Sequence, residues 1–591
     1  MYVASNFNFG AGAISGTSAD RSSMIFSFSS DLDRSSLTNR PELMTRGAVN
    51  DRGSSTGGQS KPNVAVEFWD EFNQDFNHPL LGLPPESDWV LYGIDGFDPG
   101  MMHNAIFHWF GRGIGRYSSR TRFVEVFEKI TAGPVTTNDY YGVYLLEEKP
   151  KRNNNRVNIA SLQPENTNAP AVTGGYLMRI DRTDPDERTF TTPSTTVTNF
   201  LYGASPITSP IGGQSIIMDY PNSIQWATDP RRAAQRIYIQ DYFTNFIRAL
   251  TADNFTDPVN GYAKYIDVDS WIENHIANTI CFNVDGYRLS GYFFKDRDKK
   301  IEQGPPWDCD RCLGTGGSGG ATPQTDGRCF NPRQWRIPVV GFPGNNPDNG
   351  TDFFGRSNVG VNWWDRVFRD PDFWQKYIDR YQQFRTNQFS NASVLAMIDG
   401  FYAEIKEAQA REQARWAASF TYPRSGAHNQ NGYAYNFGPA NPQFVRGGYF
   451  TNEVNFQKQW LLDRMDFMDT NFLAMPVLTN GTSLVANGTT ITVQAASKPG
   501  TVIYYTLNGT DPRLPGGAIS PTALTSAGNL TLTITGNVRL FARCYNLLPE
   551  VCPCAAGAIG LGNANAEISS LHDARRACTG GIHRLFHPLD P

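Results

Sequence analysis

Asn283-Val284-Asp285-Gly286-Tyr287, then Tyr292-Phe293-Phe294-Lys295-Asp296, then Gly304-Pro305-Pro306-Trp307-Asp308-Cys309-Asp310 is the stretch around which this chain is organised. It offers three carboxylates, Asp285, Asp308 and Asp310, in an aromatic, weakly charged neighbourhood, with a strand-like segment between the first and the other two. In an extended conformation Asp308 and Asp310 would project to one face. Two carboxylates converging on one side are costly unless a cation sits between them. One carboxylate to orient a nucleophile and two to hold a divalent metal is the equipment of phosphoryl transfer. The plainer alternatives are a turn cap for Asp285 and solvated loop aspartates for the other two.

At 591 residues the chain is too long for one core, and two or more domains are expected. Charged residues are only 18% and aromatics 13%, a balance that speaks against disorder. A net charge of -5 and the lack of a basic run exclude a nucleic-acid signature. No stretch of about 18 apolar residues occurs, so no transmembrane segment is expected. The N-terminus has no Lys or Arg before Arg21 and no signal-peptide apolar run. Cys309-x-x-Cys312 lacks the four ligands of a closed zinc site. An oxidising compartment would allow a disulfide joining Cys329 to Cys309 or Cys312.

Outward from the opening stretch, the halves differ. Residues 1–44 are Ser-, Gly- and Asn-rich and read as a mobile start with one strand near Met24–Phe28. A small-residue loop, Arg52 to Pro62, feeds the alternating strand Val64–Trp69. Such a loop can bring backbone N–H groups with Lys61 or Arg52 onto a phosphate, or be a plain hairpin turn. Further strands are expected at Asp88–Tyr92, Arg122–Phe127, Tyr141–Lys149 and Gly175–Asp181, with one helix over Met101–Ile114. From about residue 228 the period becomes helical: Ala233–Ala252, a helix opened by a Ser270-x-x-Glu273 capping box, Asn391–Trp416, and Asn452–Phe472. A sheet-rich half before a helical half is an α+β arrangement. Residues 477–546 alternate with period two and read as a small antiparallel β-sandwich, and 547–591 are unassigned. Lysines number only 12, so phosphate-binding candidates are few, and Lys61 and Lys149 stand out.

Several stretches in order carry a resemblance. They are Arg52-Gly53-Ser54-Ser55 with Lys61, Leu80-Leu81-Gly82, Ser87 to Tyr92, Met102-His103-Asn104, Gly111-Arg112 and Gly115-Arg116-Tyr117. They continue through Tyr141-Gly142-Val143-Tyr144 with Glu148-Lys149, Gly174-Gly175-Tyr176, Asn283-Val284-Asp285 and Trp307-Asp308-Cys309-Asp310. Over residues 45–476 the chain resembles the spore-coat-protein-H (CotH) kinase family, whose members resemble atypical secreted Ser/Thr protein kinases. The resemblance implies ATP- and Mg-dependent (or Mn-dependent) phosphorylation of Ser or Thr on secreted or surface proteins, the chain itself among them. It puts the catalytic aspartate on Asp285 and the metal aspartate on Asp308. Asp310 as a second ligand, and Lys61, Glu148 and Lys149 toward the nucleotide, are inferences added to it. Cys309 stands where the family is expected to carry a large apolar residue. Tyr504 to Pro512 is similar to the C-terminal β-domain of chitobiase-type enzymes, which implies an extracytoplasmic location and a polysaccharide or partner for that domain. The competing expectation is a catalytically silent, CotH-like attachment protein. A glycoside hydrolase fits poorly, because its carboxyls must face each other across a sugar.

Overall fold

The computed structural model describes residues 2–4, 21–28, 35–53, 61–94, 98–185, 187–202, 205–287, 289–314, 329–335, 363–416, 427–430, 433–436, 448–479, 485–546 and 583–584. The loop 54–60 and most of the Gly-rich stretch 311–362 lie outside the described residues, as do residues 547–582 and 585–591 of the tail.

Seven strands close a barrel in the order Tyr2–Ala4, Arg21–Ser27, Leu43–Arg52, Asn63–Trp69, Asp88–Tyr92, Tyr140–Glu148 and Thr121–Glu128, with Tyr2–Ala4 pairing back onto the last in parallel. Strict alternation builds it. Val64, Val66 and Phe68 point inward from one strand to meet Trp89, Leu91, Tyr144 and Leu146. The strand expected near Met24–Phe28 is present as Arg21–Ser27, and with Tyr2–Ala4 it closes the barrel. Tyr140–Glu148 is buried along its whole length, since its outer face is covered by helices.

A second, antiparallel sheet runs Thr189–Thr191, Ser215–Tyr220, Tyr176–Ile180, Gly291–Lys295, Ile301–Gln303. It packs on the helices Ala233–Thr251 and Val268–Cys281 in one large aromatic core. Two sequence expectations need correction here. Helix Val268–Cys281 starts earlier than the capping box implied, because Asp267 caps it by accepting the Ser270 N–H (2.7 Å), while Glu273 pairs with Arg116 (2.6 Å). The single helix expected over Asn391–Trp416 is two, Asn391–Ile405 and Ala408–Arg415. Its halves bury against different partners: the first against helix Gly448–Asn471, the second, through Gln409, Glu412 and Gln413, against strand Tyr140–Glu148.

Residues 477–546 form two antiparallel sheets, one of Val477–Leu478, Thr490–Gln494 and Leu530–Thr533, the other of Leu524–Ala527, Thr501–Thr506 and Phe541–Asn546 with His583–Arg584 at its edge. They share one apolar cluster containing Ile491, Val493, Ile503, Leu530, Ala542 and Cys544. Arg543 ties this unit to helix Pro371–Thr386 through Asp379 (2.9 Å) and to its own Asp511 (2.7 Å).

Candidate active site

Helix Val268–Cys281 ends at Phe282, whose left-handed φ of 52° turns the chain into Asn283-Val284-Asp285. Asn283 is buried and uses its whole amide. Its Oδ1 accepts the N–H groups of Asp285 and Gly286 (both 3.1 Å), and its Nδ2 donates to Asn278 Oδ1 (3.1 Å) and to the backbone carbonyl of Asp308 (2.9 Å). The two key aspartates are therefore fastened to one side chain. Gly286 is required by close approach: a Cβ there would lie 2.3 Å from Asn278 Oδ1.

Asp308 follows strand Ile301–Gln303 and itself adopts φ 62°. Helix His103–Gly113 braces its far side. Asn104 Oδ1 accepts the Cys309 N–H (2.8 Å), and His103 Nδ1 lies 3.2 Å from the Asp310 carbonyl. Asp98 in turn accepts the Met102 and His103 N–H groups (3.1 and 2.7 Å), which satisfies that helix start. Ser290 Oγ sits between Asp308 Oδ2 (3.1 Å) and Asp181 Oδ2 (3.4 Å). Phe282, Ser290, Asp308, Met101 and Leu313 all have positive φ, a concentration of costly backbone typical of a working site.

The electrostatics follow from that crowding. Burial raises the Asp308 pKa, and the charges of Asp181 and Asp285 raise it further, while the Ser290 hydrogen bond and Arg52 pull it back. Arg52, at the end of its barrel strand, also lies over the Trp307 ring at 5.5 Å. Burial likewise pushes Glu147 up to about 8, with Asn104 and Arg52 opposing and Asp308 reinforcing. Burial and Arg112 push the neighbouring His108 down to about 3.

Not every sequence candidate joins this cluster. Asp310 opens a turn and its Oδ1 accepts the Arg311 N–H (2.7 Å); the backbone at Asp308 is not extended, so the two-residue alternation that would aim both carboxylates one way does not hold. Lys61 is buried, ion-paired with Glu412, and donates to the carbonyls of Ile94 (2.9 Å) and Val143 (2.6 Å), beneath the Tyr144 ring (4.9 Å). Glu412 also accepts the Val143 N–H (2.6 Å). Glu148 is held by Arg120, through Nε (2.8 Å) and Nη2 (2.7 Å). Lys149 is 46% exposed and lies 3.8 Å from Asp88.

Sequence reasoning missed two carboxylates near Asp308. Asp181, at the end of strand Tyr176–Ile180, faces Arg179 Nε at 3.6 Å. Glu147 lies on the opposite face of its strand from Glu148, toward His108 Nε2 at 3.8 Å. Alternation along Tyr140–Glu148 was the available signal, since adjacent residues cannot share a face. Among the described residues, no group of three or more His, Cys, Asp or Glu side chains is arranged to hold a metal ion.

The family model described as CotH kinase protein matches residues 49–468, well over half of the chain. The chain belongs to this CotH kinase family. No curated protein matches it. The CotH match contains Asp181, Asp285, Asp308 and the bracing residues Asn104, Asn283 and Ser290. Among the described residues of this CotH protein, no helix is long and apolar enough to cross a membrane.

Proposed function

We propose that the chain is an ATP-dependent protein kinase that uses Mg or Mn to phosphorylate Ser or Thr hydroxyls of secreted or surface proteins, itself included. One observation carries the reading: Asn283 fastens Asp285 and Asp308 side by side, within the span matched by the CotH kinase family. Asp285 is half-buried, and in this reading it would orient an incoming hydroxyl and take its proton. Asp308 would hold the cation, with Asp181 beside it. Their hard oxygen donors suit Mg, and Mg sites commonly use only one or two protein carboxylates with phosphate oxygens and water. The electrostatic cost of charging Asp308 beside Asp181 and Asp285 is one that a bound cation would offset. Bound there, the metal would neutralise charge on the triphosphate. Arg52, whose charge acts on Asp308, would be a cation for the phosphates, with the exposed Lys149 as a second candidate.

The Lys61–Glu412 pair parallels the lysine–helix-glutamate pair of protein kinases, although Lys61 lies two residues before strand Asn63–Trp69 rather than within it. Here the glutamate comes from a helix far downstream of Asp308. The two C-terminal sheets, sharing one apolar cluster, support the further reading of a chitobiase-like β-sandwich. Incubation with labelled ATP and Mg should incorporate phosphate, and Asp285→Ala or Asp308→Ala should stop it. Undiminished transfer in both variants would sink the assignment.

A second reading, a catalytically silent attachment protein, draws on Lys61. Its ammonium is already occupied by Glu412 and two carbonyls. That reading predicts no stabilisation by millimolar Mg-ATP.

A further inference from the structure

Cys309 and Cys312 are joined by a disulfide, not to Cys329 as the sequence allowed; no other disulfide forms among the described residues. The bond closes a four-residue turn directly after Asp308, and both cysteines are fully buried. That turn is fastened on two sides. Toward helix His103–Gly113, the Cys309 N–H donates to Asn104 (2.8 Å) and the Asp310 carbonyl faces His103 (3.2 Å). Toward the Asp285 segment, the Arg311 carbonyl accepts the Val284 N–H (3.3 Å) and the Leu313 N–H donates to the Cys281 carbonyl (2.9 Å). The turn is therefore a mechanical link between Asp308 and Asp285. Asp308 sits in a left-handed conformation that persists only where the surroundings over-determine it. A disulfide across so short a loop removes little entropy from the unfolded chain, so its main effect is local.

We propose that the Cys309–Cys312 disulfide is a redox-sensitive clamp that positions Asp308 against Asp285, and that a dithiol reductant releases it. In the reducing step, one thiolate of the dithiol attacks a cysteine Sγ and the other cysteine leaves as thiolate. The second dithiol sulfur then displaces the first cysteine. The pair gains two electrons and two protons, and the dithiol is oxidised to its own disulfide. Because both sulfurs are buried, the bond is reached only when the turn opens, and reduction is slow.

The test uses the full chain, oxidised or reduced with dithiothreitol, with thiols at Cys309 and Cys312 counted by alkylation and mass spectrometry. Hydrogen exchange is followed in both states. Reduction should speed exchange at the Cys309 and Leu313 amides while the middle of helix Val268–Cys281 keeps its protection. Label transfer from ATP rests on the phosphoryl-transfer reading and should fall about 10- to 100-fold, the scale of a 1 Å misplacement, and recover on reoxidation. Unchanged exchange at these amides in fully reduced protein overturns the proposal. So does a measurable rate of transfer that is the same in both states. A Cys309→Ala/Cys312→Ala variant that still responds to the reductant as wild type also overturns it, by putting the effect at another cysteine. Changed exchange with no transfer in either state upholds the clamp and rejects the phosphoryl-transfer reading instead.

Discussion

Replacing Asn283 by Ala tests the joint between the two aspartates. The side chain is buried and makes four hydrogen bonds: two accepted from the Asp285 and Gly286 amides, two donated to Asn278 Oδ1 and the Asp308 carbonyl. At about 1 kcal/mol net each they sum to about 4 kcal/mol. Asp285 is half-buried, and water can replace part of what is lost there, so about 3 kcal/mol is the expected loss. Urea denaturation followed by tryptophan fluorescence measures it, with an unchanged m-value showing that the denatured state is not involved. Phosphate transfer should fall by about 100-fold, because both aspartates lose one anchor. Asn283→Asp keeps the two accepted bonds, loses both donated ones and adds a charge beside Asp308, so it should be no better than Ala. A stability loss under about 0.5 kcal/mol with undiminished transfer would refute the reasoning.

Lys61→Met or Glu412→Leu alone should each cost about 3–5 kcal/mol, because each leaves the charge of its buried partner uncompensated. The double change Lys61→Met/Glu412→Leu should cost less than the sum, and denaturation of the three variants decides it. Glu147 sets a pH dependence: its pKa is raised to about 8 in the fold, so the native state binds the extra proton between about pH 4.5 and 8. Stability is therefore fully present below the unfolded pKa and declines as pH rises toward 8. Glu147→Gln should flatten that part of the slope when unfolding is measured at pH 5 and pH 8.

Much of this site was legible in the sequence because it lies on regular elements or next to them. The alternation Val64-Ala65-Val66-Glu67-Phe68 gives a barrel strand, and the helical period before Asn283 gives the platform for Asp285. What was not legible depends on contacts distant in sequence. The pairing of Lys61 with Glu412 spans 351 residues, and Asp181, just past strand Tyr176–Ile180, reaches Asp308 through Ser290. The extended backbone assumed for Asp308 and Asp310 does not hold, because nothing in Trp307-Asp308-Cys309-Asp310 announces a left-handed Asp308. Ser270-x-x-Glu273 looked like a capping box, yet Arg116 takes Glu273 and Asp267 takes the helix start. Competition from tertiary partners decided each of these.

The most direct test compares thermal unfolding of the wild type and Asp308→Asn, each with and without millimolar Mg-ATP. Without ligand, Asp308→Asn should be at least as stable as the wild type, because it removes a carboxylate whose charged form is disfavoured by burial, Asp181 and Asp285. With Mg-ATP, only the wild type should rise in Tm, since only it keeps the carboxylate that holds the cation. A variant that loses stability without ligand, or that gains as much as the wild type from Mg-ATP, would contradict the account.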